Sequence, residues 1–331
     1  METSLNITKK MEIKIKKTIE LLDKEIEEYV ILFNKVFNLN STVESFKDVY
    51  LHSCLGYSIH SLLYNDEGVF IGAYSFIPYY YKVKGERKLF SLGSGLFIRE
   101  EDRKDIDNLF SLVSATMKFM KENGYILYLS FPNDESDIVS RVLIKQKRIG
   151  YLDTYILPYK VGVYKKSLSI LNPFSIILSK ILLGLSELSR NKDIQKYMIA
   201  FDRENFNKYR YKRDYSNAYH IFNDNDFNAV WKISNFKGIN ACFLMDVYPM
   251  SKRNFDKAVR EMVSAEKGKA GLFIYVGHLL FSPMSMIKIP RKLEPKKFRF
   301  DYKLLDKKQI CKEDVENIDN WEVNLASYDL L

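Results

Sequence analysis

Arg99, Arg103 and Lys104 stand beside Asp105, Ile106, Asp107 and Asn108, between a glycine-dotted apolar run (Gly93, Ser94, Gly95, Leu96, Phe97) and an amphipathic stretch that starts near Leu109. The first turn of a helix leaves main-chain N–H groups unpaired at the positive end of its dipole, so basic residues there make a place for an anion. The same loop also reads as a solvated charged turn that caps a helix. Small residues on the preceding strand admit an extended ligand against the backbone, or else mark a bulge or a tight packing contact. Asn133 and Ser136 follow a second apolar run, and an amide and a hydroxyl there can orient a cofactor or an acceptor, or simply form a turn and cap. Glu100, Glu101, Asp134 and Glu135 are the nearby carboxylates that could take a proton from an amine, although surface carboxylates at turns are mostly solvated. No Ser-His-Asp order, Cys-His pairing, nucleotide-binding glycine fingerprint or zinc spacing is present, and His52-x-Cys54 has no convergent partners, so no metal is expected.

These residues need a frame, and the spacing of apolar positions supplies one. Leu89–Ile98 and Tyr125–Asn133 read as buried strands, and Leu109, Leu112, Val113, Met117 and Met120 fall on one face of a helix between them, ending at Gly124. Upstream, Met11–Lys17 alternates like a strand, Thr18–Phe37 has helical spacing, and Ser58–Leu63, Val69–Phe76 and Tyr79–Val83 read as strands joined by turns. Downstream, Asp134–Gln146 is a short helix and Arg148–Val161 a long strand. Asn172–Arg190 is a helix with Asn172 as cap, Pro173 in its first turn and a broad apolar stripe. Domain docking is its preferred reading and peripheral membrane association, given Lys165, Lys166, Lys180, Arg190 and Lys192, the alternative. The most apolar stretch, Leu168–Leu188, is broken by Asn172, Pro173, Lys180 and Glu187, so it falls short of a spanning helix. Residues 218–233, 239–248 and 271–281 read as strands around a helix at Asn254–Glu266, and Met286–Pro290 and Lys297–Leu305 as later strands, so the second half repeats the element order of the first.

The chain has 331 residues, enough for two cores, with 47% hydrophobic and 28% charged residues, which describes a globular protein. Its net charge of +9 attracts anions without naming one, and its lysines are spread rather than clustered, which argues against specific nucleic-acid binding. Three scattered cysteines fit a reducing, cytoplasmic setting, and the first residues lack the apolar segment of a signal peptide.

Phe131-Pro132-Asn133, then Ser136 and the Ile149-Gly150-Tyr151 turn, resembles a signature of GNAT-like proteins from bacterial surface-polysaccharide clusters. Asn320-Trp321-Glu322-Val323-Asn324-Leu325 with Tyr328-Asp329 resembles their closing run, and the element order resembles the GNAT acyltransferase superfamily. The resemblance implies an α/β (α+β) fold of two GNAT-like halves, each a mixed, mostly antiparallel sheet flanked by helices, joined by a linker helix. The corresponding domains are 1–165, a linker helix at 166–195, and a degenerate second half at 196–331. It also implies transfer of an acyl group from acetyl-CoA or another acyl-CoA to an amine, such as an amino sugar in polysaccharide assembly. The donor would lie on Gly95, Leu96, Phe97, Arg103, Lys104, Asp105, Ile106, Asp107, Asn108, Asn133 and Ser136, with strand N–H groups near Gly95–Phe97 holding the carbonyl oxygen. Two departures stand beside these expectations. The family's phosphate loop carries Gly-x-Gly or Gly-x-Ala, whereas Arg103–Asn108 has no glycine. Gln146 stands where the family often has a tyrosine acid. Enzymatic activity is therefore left open, the alternatives being a non-catalytic binding or assembly protein and a Fem-like aminoacyl transferase using aminoacyl-tRNA, for which 173–190 is the one short candidate arm.

Overall fold

A computed structural model describes residues 11–163, 165–211, 219–236, 238–294 and 296–327. Tyr328 and Asp329 of the closing run, residue 218 and the first ten residues lie outside the described residues. In chain order the elements are β1 (Glu12–Lys17), α1 (Asp23–Phe37), α2 (Val43–Leu51), β2 (Ile59–Tyr64), β3 (Phe70–Val83), β4 (Glu86–Ile98), α3 (Ile106–Glu122), β5 (Leu127–Ser130), α4 (Ser136–Val142), β6 (Lys147–Tyr151), β7 (Asp153–Pro158) and α5 (Asn172–Ser186). The chain continues through β8 (Ile199–Phe201), α6 (Arg203–Arg210), β9 (His220–Asn223), β10 (Asn228–Phe236), β11 (Ile239–Tyr248), α7 (Lys252–Glu266), β12 (Leu272–Gly277), β13 (Ile287–Lys288), β14 (Arg299–Leu304) and α8 (Lys312–Glu316).

Two sheets form, ordered β1-β2-β3-β4-β5-β14-β6, with β8 added on β3, and β13-β7-β12-β11-β10-β9. The fold class is thus the expected one: two halves, each a mixed and mostly antiparallel sheet with helices against it. Antiparallel β3 and β4 follow one another through a tight turn, whereas β4 and β5 run parallel and need the crossover that α3 provides. The same succession recurs in β10, β11, α7 and β12, with β11 and β12 parallel.

The two sheets draw on both halves of the sequence: β14 and the short β8 join the first, and β7 joins the second. The expected long strand at 148–161 is in fact two, β6 and β7, and β7 pairs with β12 in the second sheet instead of completing the first. Its place beside β5 is filled by β14, pairing Asp301 with Ser130 and Leu304 with Leu127. Compact unit one accordingly comprises 1–148, 201–215 and 300–313, and unit two 149–200, 216–299 and 314–331. Inside unit one the inserted strand is locked by charge: Arg148 pairs with both Asp301, which is fully buried, and Asp137 of α4. Removing either side of such a pair would strand a buried charge.

The first core gathers Ile59, Leu63, Tyr74, Phe76, Leu112, Val113, Met117 and Met120 between the sheet and α3. The second sets Trp231, Leu244, Phe273 and Tyr275 against Phe255, Val259 and Met262 of α7. Full burial of each such side chain contributes about 1.5–3 kcal/mol before conformational entropy is charged against it. Helix α5 belongs wholly to unit two and packs on β7 and α7.

Candidate functional site

The pairing of β4 with β5 runs from Phe90/Leu127 to Leu92/Leu129 and stops, although β4 continues to Ile98. At that point β4 also carries a bulge. Tyr74 faces Leu96 while Ser75 faces Ser94, which leaves Gly95 as the extra residue, with φ of +67°. Left-handed backbone costs a residue with a Cβ about 1–2 kcal/mol, and here a Cβ would lie 2.8 Å from the Tyr29 hydroxyl, so glycine is required twice over. Gly93, Gly95 and Leu96 are only half-buried between buried neighbours, so the parted strand edge is reachable from outside.

Behind the bulge lies a chain of buried polar groups. Thr18 Oγ1 is 2.9 Å from His60 Nε2, His60 Nδ1 is 2.8 Å from Ser75 Oγ, and Ser75 Oγ is 3.0 Å from Tyr29 Oη. Tyr29 and Tyr50 hydroxyls meet at 3.3 Å, and Tyr50 reaches Ser94 Oγ at 3.3 Å. Burial pulls the His60 imidazole down to about 3 and pushes the Tyr29 phenol well above its ordinary value. Both stay neutral at ordinary pH, so this network fixes the bulge and does not titrate there. On the other face Tyr128 lies across Gly93, where a Cβ would overlap its hydroxyl, and bonds Tyr74. The two glycines therefore serve first to admit tyrosines of the chain itself.

The loop beyond β4 is bound to itself. Arg99 pairs with Asp102 at 2.5 Å, Arg103 Nε donates to the Ile98 carbonyl at 2.8 Å, and Asn108 Nδ2 donates to the Asp102 carbonyl at 3.0 Å. Asp105 caps α3, accepting the Asp107 N–H at 3.0 Å. This puts a carboxylate where an external anion would have to sit. Lys104 is exposed, as are Ile106 and Asp107. A cavity of about 220 Å³ opens here, lined by Asp66, Glu101, Asp102 and Asp105 against the single cation Lys104. That lining repels phosphate, and the residues present do not fit a pyrophosphate cradle at the start of α3.

Asn133 and Ser136 also bind each other: Asn133 N–H donates to Ser136 Oγ at 2.9 Å and Ser136 N–H to Asn133 Oδ1 at 2.8 Å, a reciprocal cap on the turn that leads into α4. Because β4 and β5 are parallel, this cap and the start of α3 both follow the carboxyl ends of neighbouring strands. Gln146 is buried and accepts hydrogen bonds from Ser130 and Ser140, which ties it into the sheet and away from any leaving group.

No protein-family model matches the sequence, and no curated protein matches it. Solved structures do match in shape. A conserved protein of unknown function from Enterococcus faecalis V583, given as a probable N-acyltransferase, aligns with 89% of this chain and 73% of its own at TM-score 0.57 and 11% identity. A GCN5-related N-acetyltransferase from Kribbella flavida aligns with 92% of this chain and 73% of its own, at TM-score 0.57 and 11% identity. One from Anabaena variabilis covers 88% and 73% at TM-score 0.54 and 12% identity. The fold is that of the GCN5-related N-acetyltransferases.

The second GNAT-like half has the same parted strands and has closed them. Val230 faces Asp246 and Trp231 faces Leu244, so Met245 is its bulge residue, and it is fully buried. Pairing of β11 with β12 ends at Leu244/Tyr275, and the closing run occupies the gap beyond that pair. Asn324 Nδ2 donates to Asp246 at 3.0 Å, His278 N–H donates to the Val323 carbonyl at 3.1 Å, and Trp321 Nε1 donates to the Val315 carbonyl at 2.9 Å. Residues 321–327 are all buried. At the start of α7, Ser251 supplies the cap, and segment 191–195 bonds the backbone of Met250 and Arg253. The closing run is thus a plug for the second half.

Sequence reading did not single out Thr18, Tyr29, Tyr50, Ser75 or Ser94 as a group. A polar residue inside an apolar strand, as at His60 and Ser75, was the available signal.

Proposed function

We propose that the first half transfers an acyl group from a thioester to an amine at the parted edge of β4. The observation that carries this reading is the half-exposed bulge at Gly95 beside strands whose pairing has ended, in a GNAT fold whose second copy of the same feature is buried. Main-chain N–H groups along Gly95–Phe97 would meet the carbonyl oxygen as negative charge develops on it. The amine nitrogen attacks the carbonyl carbon, the C–N bond forms, the C–S bond breaks, and the amine's proton reaches the thiolate through water. Gln146 offers no acid for that last step, so the reaction depends on alignment more than on proton transfer by a side chain.

The donor is acetyl-CoA or another acyl-CoA, recognised along its acyl and pantetheine portion and not by its pyrophosphate at α3. The acceptor is an amine, and the Phe131-Pro132-Asn133 resemblance favours an amino sugar of bacterial surface polysaccharide. Free thiols at Cys54, Cys242 and Cys311 support a cytoplasmic setting. Calorimetric titration with acetyl-CoA tests the reading, with acetyl-pantetheine as comparison. Comparable affinities for the two are expected, and absence of binding by either would refute it.

The Asp105 cap favours a second reading, a binding or assembly protein that keeps the fold without turnover. Binding of an amino sugar with no acetylation of it in the presence of acetyl-CoA would decide for that reading.

A further inference from the structure

Helix α5 is amphipathic in the inverted sense. Over residues 165–194 the buried positions are Ser175, Ser179, Ser186 and Ser189, while Ile170, Phe174, Ile177, Ile181 and Leu188 are each more than half exposed. The serines bond the rest of unit two: Ser175 Oγ donates to the Tyr159 carbonyl at 3.2 Å, Ser179 Oγ to the Pro158 carbonyl at 3.3 Å, and Arg260 donates to Ser186 Oγ at 2.8 Å. Positions 174, 177, 178, 181, 185 and 188 recur every three or four residues, so at about 100° per residue they form one stripe turned away from the serine face. The most apolar 18 residues within Lys166–Ser186 average 1.8 in hydropathy, so by length and composition alone the run is sufficient to cross a bilayer, contrary to the expectation that its polar residues leave it short of one.

We propose that α5 seats unit two on the surface of an anionic lipid bilayer, lying in the plane of the interface. Charge selects this occupant. Lys165, Lys166, Lys180, Arg190 and Lys192 are exposed around the stripe, against Glu187 and Asp193 alone of opposite sign. A second copy of this chain would bring the same basic rim against itself across a twofold interface, within a molecule of net charge +9. Anionic headgroups match the rim while the acyl boundary takes Phe174, Ile177 and Ile181. Crossing the membrane is disfavoured because the helix is held along its length by the serine bonds and by Gly162 N–H to Asn172 Oδ1 at 2.7 Å, which keeps both of its ends on the same compact unit.

The test is co-sedimentation of the full chain with vesicles of phosphatidylcholine alone or with phosphatidylglycerol. Binding is expected to the anionic vesicles, to weaken in high salt, and to fall by about tenfold or more in F174S/I177S/I181S, whose exposed changes leave the melting temperature unmoved. In a second measurement Phe174→Trp reports directly, since Trp231 and Trp321 are both buried, and its emission is expected to shift to the blue with anionic vesicles. Equal sedimentation with and without vesicles, or a wild-type dimer in solution that the triple variant splits into monomers, would overturn the proposal.

Discussion

The bulge at Gly95 and the bulge at Met245 occupy the same place in two similar sheets, yet one is half-exposed and the other lies under the chain's own C-terminal run. The two similar sheets supply two openings between parallel strands, and the residues packed around each opening decide its use. In the first half a tyrosine, serine and histidine network braces the glycine from behind and leaves the strand edge reachable. In the second, Trp321 and Asn324 spend the opening on stability. An unpaired strand edge inside a fold is either a site or a fault to be covered, and this molecule covers one of its two.

The largest effect is expected from opening what is closed. Trp321→Ala removes a fully buried ring and its bond to the Val315 carbonyl, and should cost about 3–5 kcal/mol, read as a fall in melting temperature. A change within about 1 kcal/mol would mean that the run is not a plug.

Next comes the contrast between the bulges. Gly95→Ala must adopt φ of +67° against the Tyr29 hydroxyl, costing about 1–2 kcal/mol from the backbone alone, and should abolish acetyl-CoA binding. Met245→Leu, a similar volume at an enclosed position, should cost under about 1.5 kcal/mol and leave binding unchanged. Equal effects of the two on binding would erase the distinction between the halves.

The brace has a pH signature. His60 titrates near 6.5 when unfolded and, through burial, near 3 when folded, so the unfolded chain binds the extra proton between those values. Stability is therefore fully present above about pH 6.5 and is lost progressively as pH falls toward 3. His60→Gln should flatten that part of a stability-against-pH curve, and an unchanged slope would show that His60 is not the group responsible.

Smallest is the α3 cap. Asp105→Ala should cost about 1 kcal/mol and leave acetyl-CoA affinity unchanged, since the cap and not a phosphate occupies that helix start. A gain in affinity would instead show a pyrophosphate position masked by Asp105.

Much of this frame was legible from residues. The stretch 89–133 announced strand, helix and strand because its apolar spacing switches from a continuous run to 3.6 and back, and α3 does run Ile106–Glu122 with Leu112, Val113, Met117 and Met120 inside. The exchange of β7 and β14 was not legible, because both strands carry apolar residues that fit either sheet. Helix α2 was missed, although Thr42 and Ser45 form its capping box, because its nine residues hold too little periodicity to stand out. The brace behind Gly95 was hidden for a different reason. Tyr29 and Ser75 are separated by 46 positions, and only the pairing of β2 with β3 and the docking of α1 bring their hydroxyls together. The serine face of α5 was equally hidden, since apolar stripes ordinarily face inward.

One half of this chain is proposed to be open to a thioester, while the other is shut. Calorimetric titration of the full chain with acetyl-CoA measures this through its stoichiometry, run in parallel on Gly95→Ala. One molecule bound per chain, lost in the variant, is the predicted result; binding that survives Gly95→Ala, or two molecules per chain, would contradict it.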